Sequence, residues 1–380
     1  MNEIPDDFVV TPWEVTGQID YEKLIVQFGT KSIDGALVER LAKYAEPHLM
    51  LRRGIFFSHR DFDTILTRQE KGLPWYMYTG RGPSGHTHLG HLMPWIFTKW
   101  LQDVFKVRLY FQLTDDEKFF FGENLTQEDS RKFAYENALD IIALGFDPKL
   151  TKIFLDTEYI HNMYPIASKV AKKVTFSTAK AVFGFTNSNN LGEIFYTSMQ
   201  SATAFLLTEL EGREMPCVIP CGIDQDAHFR VARDVAPGLG YPKPVMLHCK
   251  LFPSLQGGDK MSASKPETTI FTTDPPKTVK KKIMNAFTGG AVSVEEQKKN
   301  GGNPDVCSVH QYLYYLFEED TVKFNGLTEK CRKGEILCGQ CKQYLAEKVV
   351  RFIEMHQERR EAARDRLDDF MLRDCQGERK

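Results

Sequence analysis

No stretch of the sequence stays apolar for the ~18–20 residues a membrane-crossing helix needs, so no membrane partner is expected. Nor is there a surplus of one charge: 49 Lys and Arg stand against 51 Asp and Glu, a net charge of −2. A uniformly basic nucleic-acid coat is thereby excluded. A local basic face is not, because binding follows local potential rather than total charge. Cysteine is scarce, eight in 380 residues, which rules out a disulfide scaffold. The acidic start, Met1 to Asp7, has neither an Arg-rich amphipathic segment nor an apolar signal region. A cytoplasmic chain is therefore expected, its cysteines reduced thiols or metal ligands. The 27 Gly and 18 Pro are too few and scattered for collagen or a low-complexity linker. What is there is ordinary globular composition, 42% hydrophobic and 26% charged, at a length that predicts two domains or three.

Residues 1–74 mix short β-like pieces, Phe8 to Val15 and Leu24 to Phe28, with a helix around Ile33–Ala45. Trp75-Tyr76-Met77-Tyr78-Thr79 reads as a buried strand and stops at the breaker cluster Gly80-Arg81-Gly82-Pro83-Ser84. Leu89, Leu92, Met93, Ile96, Phe97, Trp100, Leu101, Val104 and Phe105 then recur at three- and four-residue spacing, one apolar helix face. Pro94 must lie near that helix's first turn or kink it. Val107 to Thr114 is strand-like again. Residues 75–114 thus predict a right-handed βαβ unit of a parallel sheet. Further strands are expected at Pro216–Pro220 and Val245–Leu251, with a helix at Pro165–Val182 between. Strand signals vanish after about residue 275, and Gln311 to Phe370 reads as helix. The expected division is an N-terminal extension, 1–74, a catalytic α/β domain, 75–270, and a helical domain, 271–380.

In open α/β sheets ligands bind beyond the carboxyl ends of the strands. Four segments combine that place with useful chemistry: Tyr78 to Gly82, Gln112 to Lys118, Gly222 to Asp226, and the loop Gly257 to Ser264. The first leads into His88-Leu89-Gly90-His91. There two histidines share a helical face at a helix N-terminus and Gly90 admits close approach, as a phosphate or nucleotide cradle requires. Zinc is an alternative for the pair, but the Glu and four-residue spacing of a metalloprotease are missing. The loop Lys260-Met261-Ser262-Ala263-Ser264 offers a point charge with hydroxyl donors beside it.

These two motifs resemble the HIGH and KMSKS signatures of class I aminoacyl-tRNA synthetases. Tyr78 to Ser84, Leu113 to Lys118, Ile219 to Asp226 and Lys260 to Ser264 are similar to the tryptophanyl-tRNA synthetases of eukaryotic cytosolic type. The likeness extends to Phe8 to Val15 and Arg52 to Arg60, and so covers nearly the whole chain. It begins close to the N-terminus, so no appended helical domain is expected upstream. Two departures stand out. Ser84 to Thr87 is one residue shorter than the Ser-rich turn of animal members, and Ala263 stands where many class I enzymes have a second Lys.

The resemblance implies a Rossmann-type parallel-sheet catalytic domain followed by an α-helical anticodon-binding domain. It implies a tryptophan–tRNA ligase that uses ATP with Mg²⁺ to form tryptophanyl-adenylate and transfers the amino acid to tRNA(Trp), as a homodimer. Lys260, His88, His91 and Arg81 are the implied catalytic residues. Gly82, Gly90, Ile219, Met261, Ser262 and Ser264 are implied at ATP. Tyr78 and Gln112 are implied at the indole nitrogen, and Glu117, Gln200 and Gln225 at the ammonium and carboxylate of L-tryptophan. Arg359, Arg360, Arg364 and Arg366, with Lys169, Lys172 and Lys173, are either tRNA contacts or solvated helix faces. Tyrosine specificity, a non-catalytic tRNA-binding paralogue and another nucleotidyltransferase are the rival readings. The last two are disfavoured by the intact motifs and the long helical C-terminus respectively.

Cys307, Cys331, Cys338 and Cys341 are spaced C-x23-C-x6-C-x2-C. The closing Cys-Gly-Gln-Cys fits a metal knuckle, with Zn²⁺ favoured over an iron–sulfur cluster because four thiolates suit a tetrahedral ion. Ordinary buried thiols are the alternative.

Overall fold

The computed structural model describes residues 8–11, 15–17, 19–122, 124–258 and 260–374. Pro12, Trp13, Glu14 and Asp259, which belong to the motifs above, lie outside them. The strands are β1 (Phe8–Val10), β2 (Val15–Gly17), β3 (Lys31–Ser32), β4 (Phe56–Arg60), β5 (Tyr76–Arg81), β6 (Leu109–Leu113), β7 (Thr151–Leu155), β8 (Cys217–Gly222) and β9 (Val245–Cys249). β1 and β2 form a small antiparallel pair, and the rest make a seven-stranded sheet in the order β3-β4-β9-β8-β5-β6-β7. β5 to β9 are mutually parallel, and β3 and β4 continue the sheet antiparallel at one edge. This is a doubly wound α/β sheet whose strand order reverses between the parallel neighbours β5 and β8. Its inner strands are covered on both faces, so β6, Leu-Tyr-Phe-Gln-Leu, is buried throughout.

The switch point is also where the sheet opens. β5 is paired with β6 over five residues, Met77 to Arg81, but with β8 only at Tyr76 and Met77. Beyond Met77 the two strands part, and their carboxyl ends flank a cleft. The helix after β5 runs Leu89–Phe105 and buries Leu89, Leu92, Met93, Phe97 and Leu101 against the sheet, as its periodicity predicts. Pro94 is accommodated inside it.

Four expectations are corrected. Leu24 to Phe28 is no strand; it belongs to the helix Tyr21–Phe28. Asp20 caps that helix by accepting from the N–H groups of Glu22 and Lys23, and Gly29 ends it at a positive φ of 61°. Pro165–Val182 is not one helix; Ile160–Ala171 and Phe176–Phe183 are separate, the second capped by Thr175. Strands β4 and β7 were unforeseen, β4 because Ser58, His59 and Arg60 interrupt its apolar run. Residues 1–74 are more than an extension packed on the sheet, since β4 pairs with β9 within it.

After β9 no further strand occurs among the described residues. The long helix Cys338–Ala363 packs on the helices Pro276–Met284 and Gln127–Ala143. Its polar anchor is buried: His356 Nε2 lies 3.0 Å and Arg360 Nε 3.2 Å from Asp140 Oδ1, and Arg360 also pairs with Glu136. Arg360 is therefore consumed inside the protein and is not a tRNA-facing cation. Arg364 is shared between Glu361 and Glu136. At the far edge, the Leu372 N–H donates to Ile153 O at 2.7 Å, so the C-terminal segment covers β7.

The antiparallel edge is held by a buried chain of polar contacts. Ser58 Oγ lies 3.0 Å from His248 Nδ1, and His248 Nε2 lies 3.1 Å from Asp226 Oδ1. Arg60 donates to both Asp226 oxygens at 2.8 Å. Burial alone would raise the Asp226 pKa, but hydrogen bonds from His248 and Arg60 outweigh it and hold the carboxylate far below its usual range. The linked stability is fully present above the unfolded carboxyl pKa of about 4 and is lost as pH falls through the lower folded value. Asp226→Ala should cost about 3–5 kcal/mol at pH 7, because it strands a largely buried Arg60. Urea unfolding of the variant beside the parent checks this, and the difference should shrink in acid.

Candidate functional site

The cleft between β5 and β8 has a volume of ≈ 500 Å³, within the range of small-molecule sites. Its lining draws on all four polar strand ends: Tyr78 to Gly82, Thr114 to Lys118, Ile219 to Gln225, and Lys260 to Ser264, with His88, Gly90, His91 and Gln200. Segments distant in sequence converge because parallel strands end on the same edge of the sheet.

At one end the rings of His88 and His91 stack with centroids 3.5 Å apart at the start of the helix Leu89–Phe105. Burial, reinforced by the Arg81 charge, pushes both far below the usual histidine range, so both are neutral. His88 Nδ1 is buried without a protein partner. A Cβ on Gly90 would stand 3.1 Å from the His88 ring, so glycine lets the helix start lie flush against it. Arg81 is buried. Four of its five N–H groups are committed, to Asn137 Oδ1, His91 Nε2 and the carbonyls of Gly85 and His86. It thus fixes the turn and, together with the His88 backbone N–H that reaches His91 Nδ1 at 3.2 Å, the orientation of the His91 ring. Burial lowers its pKa only to about 10, so it stays charged. Across the cleft, Lys260 Nζ lies 3.1 Å from Asp224 Oδ2, a one-third-exposed ammonium held on a single carboxylate. Ser262 and Ser264 hydrogen-bond each other at 2.9 Å.

The deeper end is built of polar groups set in apolar walls. Tyr78 is fully buried, its ring edge-on to Phe229. The Tyr78 hydroxyl donates to Gln112 Oε1 at 2.6 Å and accepts from Gln200 Nε2 at 2.9 Å. Gln112 does not line the cleft; it lies behind Tyr78, with Nε2 donating to Asp156. Glu117 accepts from Thr114 Oγ1 at 2.6 Å and from Lys118 Nζ at 2.5 Å, and the Tyr196 hydroxyl oxygen, whose hydrogen goes to Gln200, lies 3.2 Å away. Burial raises the Glu117 pKa, but the Lys118 charge and these hydrogen bonds bring it below the usual range, so it is an ionised acceptor inside the protein. Burial takes the neighbouring His228 down to about 4, a neutral ring.

The arrangement can seat a nucleotide at one end and a flat amino acid at the other. The chain matches the family described as tRNA synthetases class I (W and Y) over residues 70–354. The tryptophan–tRNA ligase of Pyrobaculum calidifontis is 54% identical over 97% of this chain and 98% of its own length. That of Sulfolobus acidocaldarius is 52% identical, covering 96% and 95%. Among solved structures, tryptophanyl-tRNA synthetase of Plasmodium falciparum superimposes with a TM-score of 0.87 at 40% identity, covering 93% and 97%. The Encephalitozoon cuniculi enzyme bound to tryptophan gives 0.84 at 37%, covering 93% and 98%. The chain belongs to the class I tryptophan–tRNA ligases.

All the residues expected at the synthetase site line the cleft except Gln112. Several others there escaped sequence reasoning. Tyr196, Lys118, His228 and Asp224 contribute side chains to the same lining. Lys118 and Asp224 stood inside the recognised strand ends. Tyr196 carried one signal, its i, i+4 spacing to Gln200, which puts both on one helix face.

The four cysteines sit elsewhere. Cys307, Cys331, Cys338 and Cys341 line one apolar cavity of ≈ 30 Å³. All are free thiols. Burial, then the neighbouring cysteines, pushes Cys341 up to about 12, and burial also raises Cys331. Among the described residues no group of three or more His, Cys, Asp or Glu side chains is arranged to hold a metal ion. The knuckle geometry expected of Cys338-Gly339-Gln340-Cys341 is thus not formed, since both residues lie within a regular helical turn.

Gly82 marks where the synthetase cleft is tightest. A Cβ there would lie 2.1 Å from Lys118 Cε and 2.6 Å from Glu117 Oε2. Gly82→Ala should displace that pair and raise the KM for both tryptophan and ATP, each by about tenfold. Steady-state pyrophosphate exchange with each substrate varied in turn measures both.

Proposed function

We propose that the cleft divides the ligase reaction between its two ends: ATP over the paired histidines, tryptophan against Tyr78. The observation that carries this is the contrast between the ends. One has neutral imidazoles, an unpartnered buried His88 Nδ1 and the loosely held charge of Lys260. The other has apolar walls around one tyrosine hydroxyl and an ionised Glu117.

In the first step the tryptophan carboxylate attacks the α-phosphorus of ATP. A P–O bond forms to the carboxylate, the bond to the bridging oxygen breaks, and pyrophosphate leaves with that electron pair. In the second, a ribose hydroxyl of tRNA(Trp) attacks the adenylate carbonyl and AMP departs. No residue need become covalently attached, so the protein acts by positioning and by stabilising charge. His88 and His91, with Gly82 and Gly90, hold the triphosphate at the helix N-terminus, and Arg81 keeps the His91 ring in place. Ile219 and Met261 border the adenine. Lys260 leaves Asp224 for the phosphates, with Ser262 and Ser264 donating beside it. Mg²⁺ enters on the ATP phosphates, where it neutralises charge. Tyr78, backed by Gln112, accepts from the indole N–H. Glu117 takes the ammonium group, with Gln200 and Gln225 nearby for the carboxylate.

The remaining parts of the reading are narrower. We assign 75–270 to catalysis and 271–380 to anticodon binding, with 1–74 completing the sheet edge. A cytoplasmic homodimer of the eukaryotic cytosolic type is supported by three things. Its solved relatives include the Plasmodium falciparum enzyme at 40% identity, set against archaeal ligases of Pyrobaculum and Sulfolobus at 54% and 52%. No helix among the described residues is long and apolar enough to cross a membrane. Tyr164, Phe176 and Leu191 expose apolar area on neighbouring helices.

Exchange of pyrophosphate into ATP should depend on tryptophan far more than on the other amino acids, tyrosine included. Lys260→Ala should lower kcat by roughly 10²–10³-fold, with a smaller change in the KM for tryptophan. Unchanged exchange kinetics would remove Lys260 from the mechanism.

For the four-cysteine cavity the proposal is a thiol-bound Zn²⁺ or iron–sulfur cluster that draws the side chains inward on binding. Protein purified anaerobically should then contain close to one equivalent of zinc, or iron with a brown colour. Metal below about a tenth of an equivalent leaves four ordinary free thiols, one buried and three half-buried.

A further inference from the structure

The tryptophan end of the cleft contains a hydrogen-bond chain that runs in one direction. The Tyr196 hydroxyl donates to Gln200 Oε1. Gln200 Nε2 donates to the Tyr78 hydroxyl at 2.9 Å, which donates to Gln112 Oε1 at 2.6 Å. Gln112 Nε2 then donates to both carboxyl oxygens of Asp156, at 2.7 and 2.9 Å. Every link is buried, and Tyr78 and Gln112 are wholly so. Asp156 follows β7 directly, and β7 is paired in register with β6, where Phe154 lies opposite Gln112.

A glutamine amide can rotate to exchange its oxygen and nitrogen, and a phenolic hydroxyl can donate or accept. Nothing in Tyr78, Gln112 or Gln200 alone decides which way the chain runs. Asp156 decides it, because a carboxyl acceptor pulls the Gln112 NH₂ toward itself and turns Oε1 toward Tyr78. The Tyr78 hydrogen is then spent on Gln112, and what its oxygen has left for the cleft is a lone pair. We propose that Asp156 is a positioning residue that sets the hydrogen-bond polarity of the tryptophan pocket, making Tyr78 an acceptor for the indole N–H.

The inference rests on the tryptophan pocket proposed above and adds the residue that gives it its sign. Asp116 supports the arrangement. The Asp116 and Asp156 carboxyl groups are hydrogen-bonded to each other, and burial raises both pKa values, so one proton is held between them. Both Asp156 oxygens lie within reach of Gln112 Nε2, at 2.7 and 2.9 Å, so the carboxyl group offers Gln112 a lone pair whichever oxygen carries the proton. With Asp156 removed, Gln112 can turn its NH₂ to Tyr78, which would then point its own O–H into the cleft. A donor would face the indole N–H, leaving both without a protein partner.

The test compares tryptophan with β-(3-benzothienyl)alanine, in which sulfur replaces the N–H while ring shape is kept. Asp156→Leu, of similar size but without an acceptor, should lower the ratio of kcat/KM for tryptophan over the analogue about tenfold. Asp156→Ala, which leaves room for water, gives the same readout should the leucine variant fail to fold. Asp156→Asn should keep the ratio within about twofold, because Asp116 can hold its NH₂ and leave its carbonyl for Gln112. Equal proportional losses for both amino acids in the leucine and alanine variants would mean a merely structural role and overturn the proposal. So would loss of discrimination in the asparagine variant. Absence of tryptophan-dependent exchange in the parent enzyme would instead overturn the pocket assignment itself.

Discussion

The whole site depends on where β5 and β8 stop pairing. The two strands share hydrogen bonds only at Tyr76 and Met77, although each is paired over five residues on its other side. Right-handed crossovers wind the chain away on either side of this junction, so no connection closes over it. The gap that results takes the side chains of both strand ends. It also leaves backbone groups of Thr79 to Arg81 without a neighbouring strand on that side. Had the pairing continued to Arg81, Tyr78 and Ile219 would sit in a sealed core and there would be no cleft.

Around that gap, ionisable groups are sorted by what surrounds them. Burial drives His88, His91 and His228 to the neutral form. The same burial acts on Glu117, yet the Lys118 charge and hydrogen bonds from Lys118 and Thr114 keep it charged. The cleft thus holds neutral rings at one end and a fixed carboxylate at the other, the contrast on which the proposed seating of ATP and tryptophan rests. Lys260, paired with the single carboxylate of Asp224 and about one-third exposed, is the cation held least firmly. Firmly and loosely held charges are separated because the first stand on strand and helix ends and the second on a glycine-flanked loop.

The C-terminal helices are coupled to this scaffold through Asp140. His356 and Arg360 reach it from the helix Cys338–Ala363, and Asp140 lies on the helix Gln127–Ala143 that also supplies Asn137 to Arg81. One helix therefore touches both the helical region and the residue that orients His91. The buried arginine explains why a basic cluster in sequence need not be a basic surface.

Much of the site was legible in the residues themselves. The breaker cluster after Tyr78, the His-Leu-Gly-His turn and the Lys260 loop are local signals: each needs a particular backbone or charge, and each keeps its meaning out of context. Strand β5 and the helix Leu89–Phe105 were readable for the same reason, since period and length are properties of short segments. Other features existed only after folding. β7 is five residues with no distinct punctuation, and its missing left Asp156 unnoticed. Leu24 to Phe28 looked like a strand because its apolar content outweighed the capping signals of Asp20 and Gly29. Gln112 could be placed near the indole, but its position behind Tyr78 and the direction of its amide depend on a carboxylate from another strand. The spacing of four cysteines brought them to one cavity, yet could not set the angles of their thiols. Sequence determined the local turns, charges and periods because these act between near neighbours. Tertiary structure decided pairing, burial and hydrogen-bond direction, because each is a relation between groups that the chain alone does not bring together.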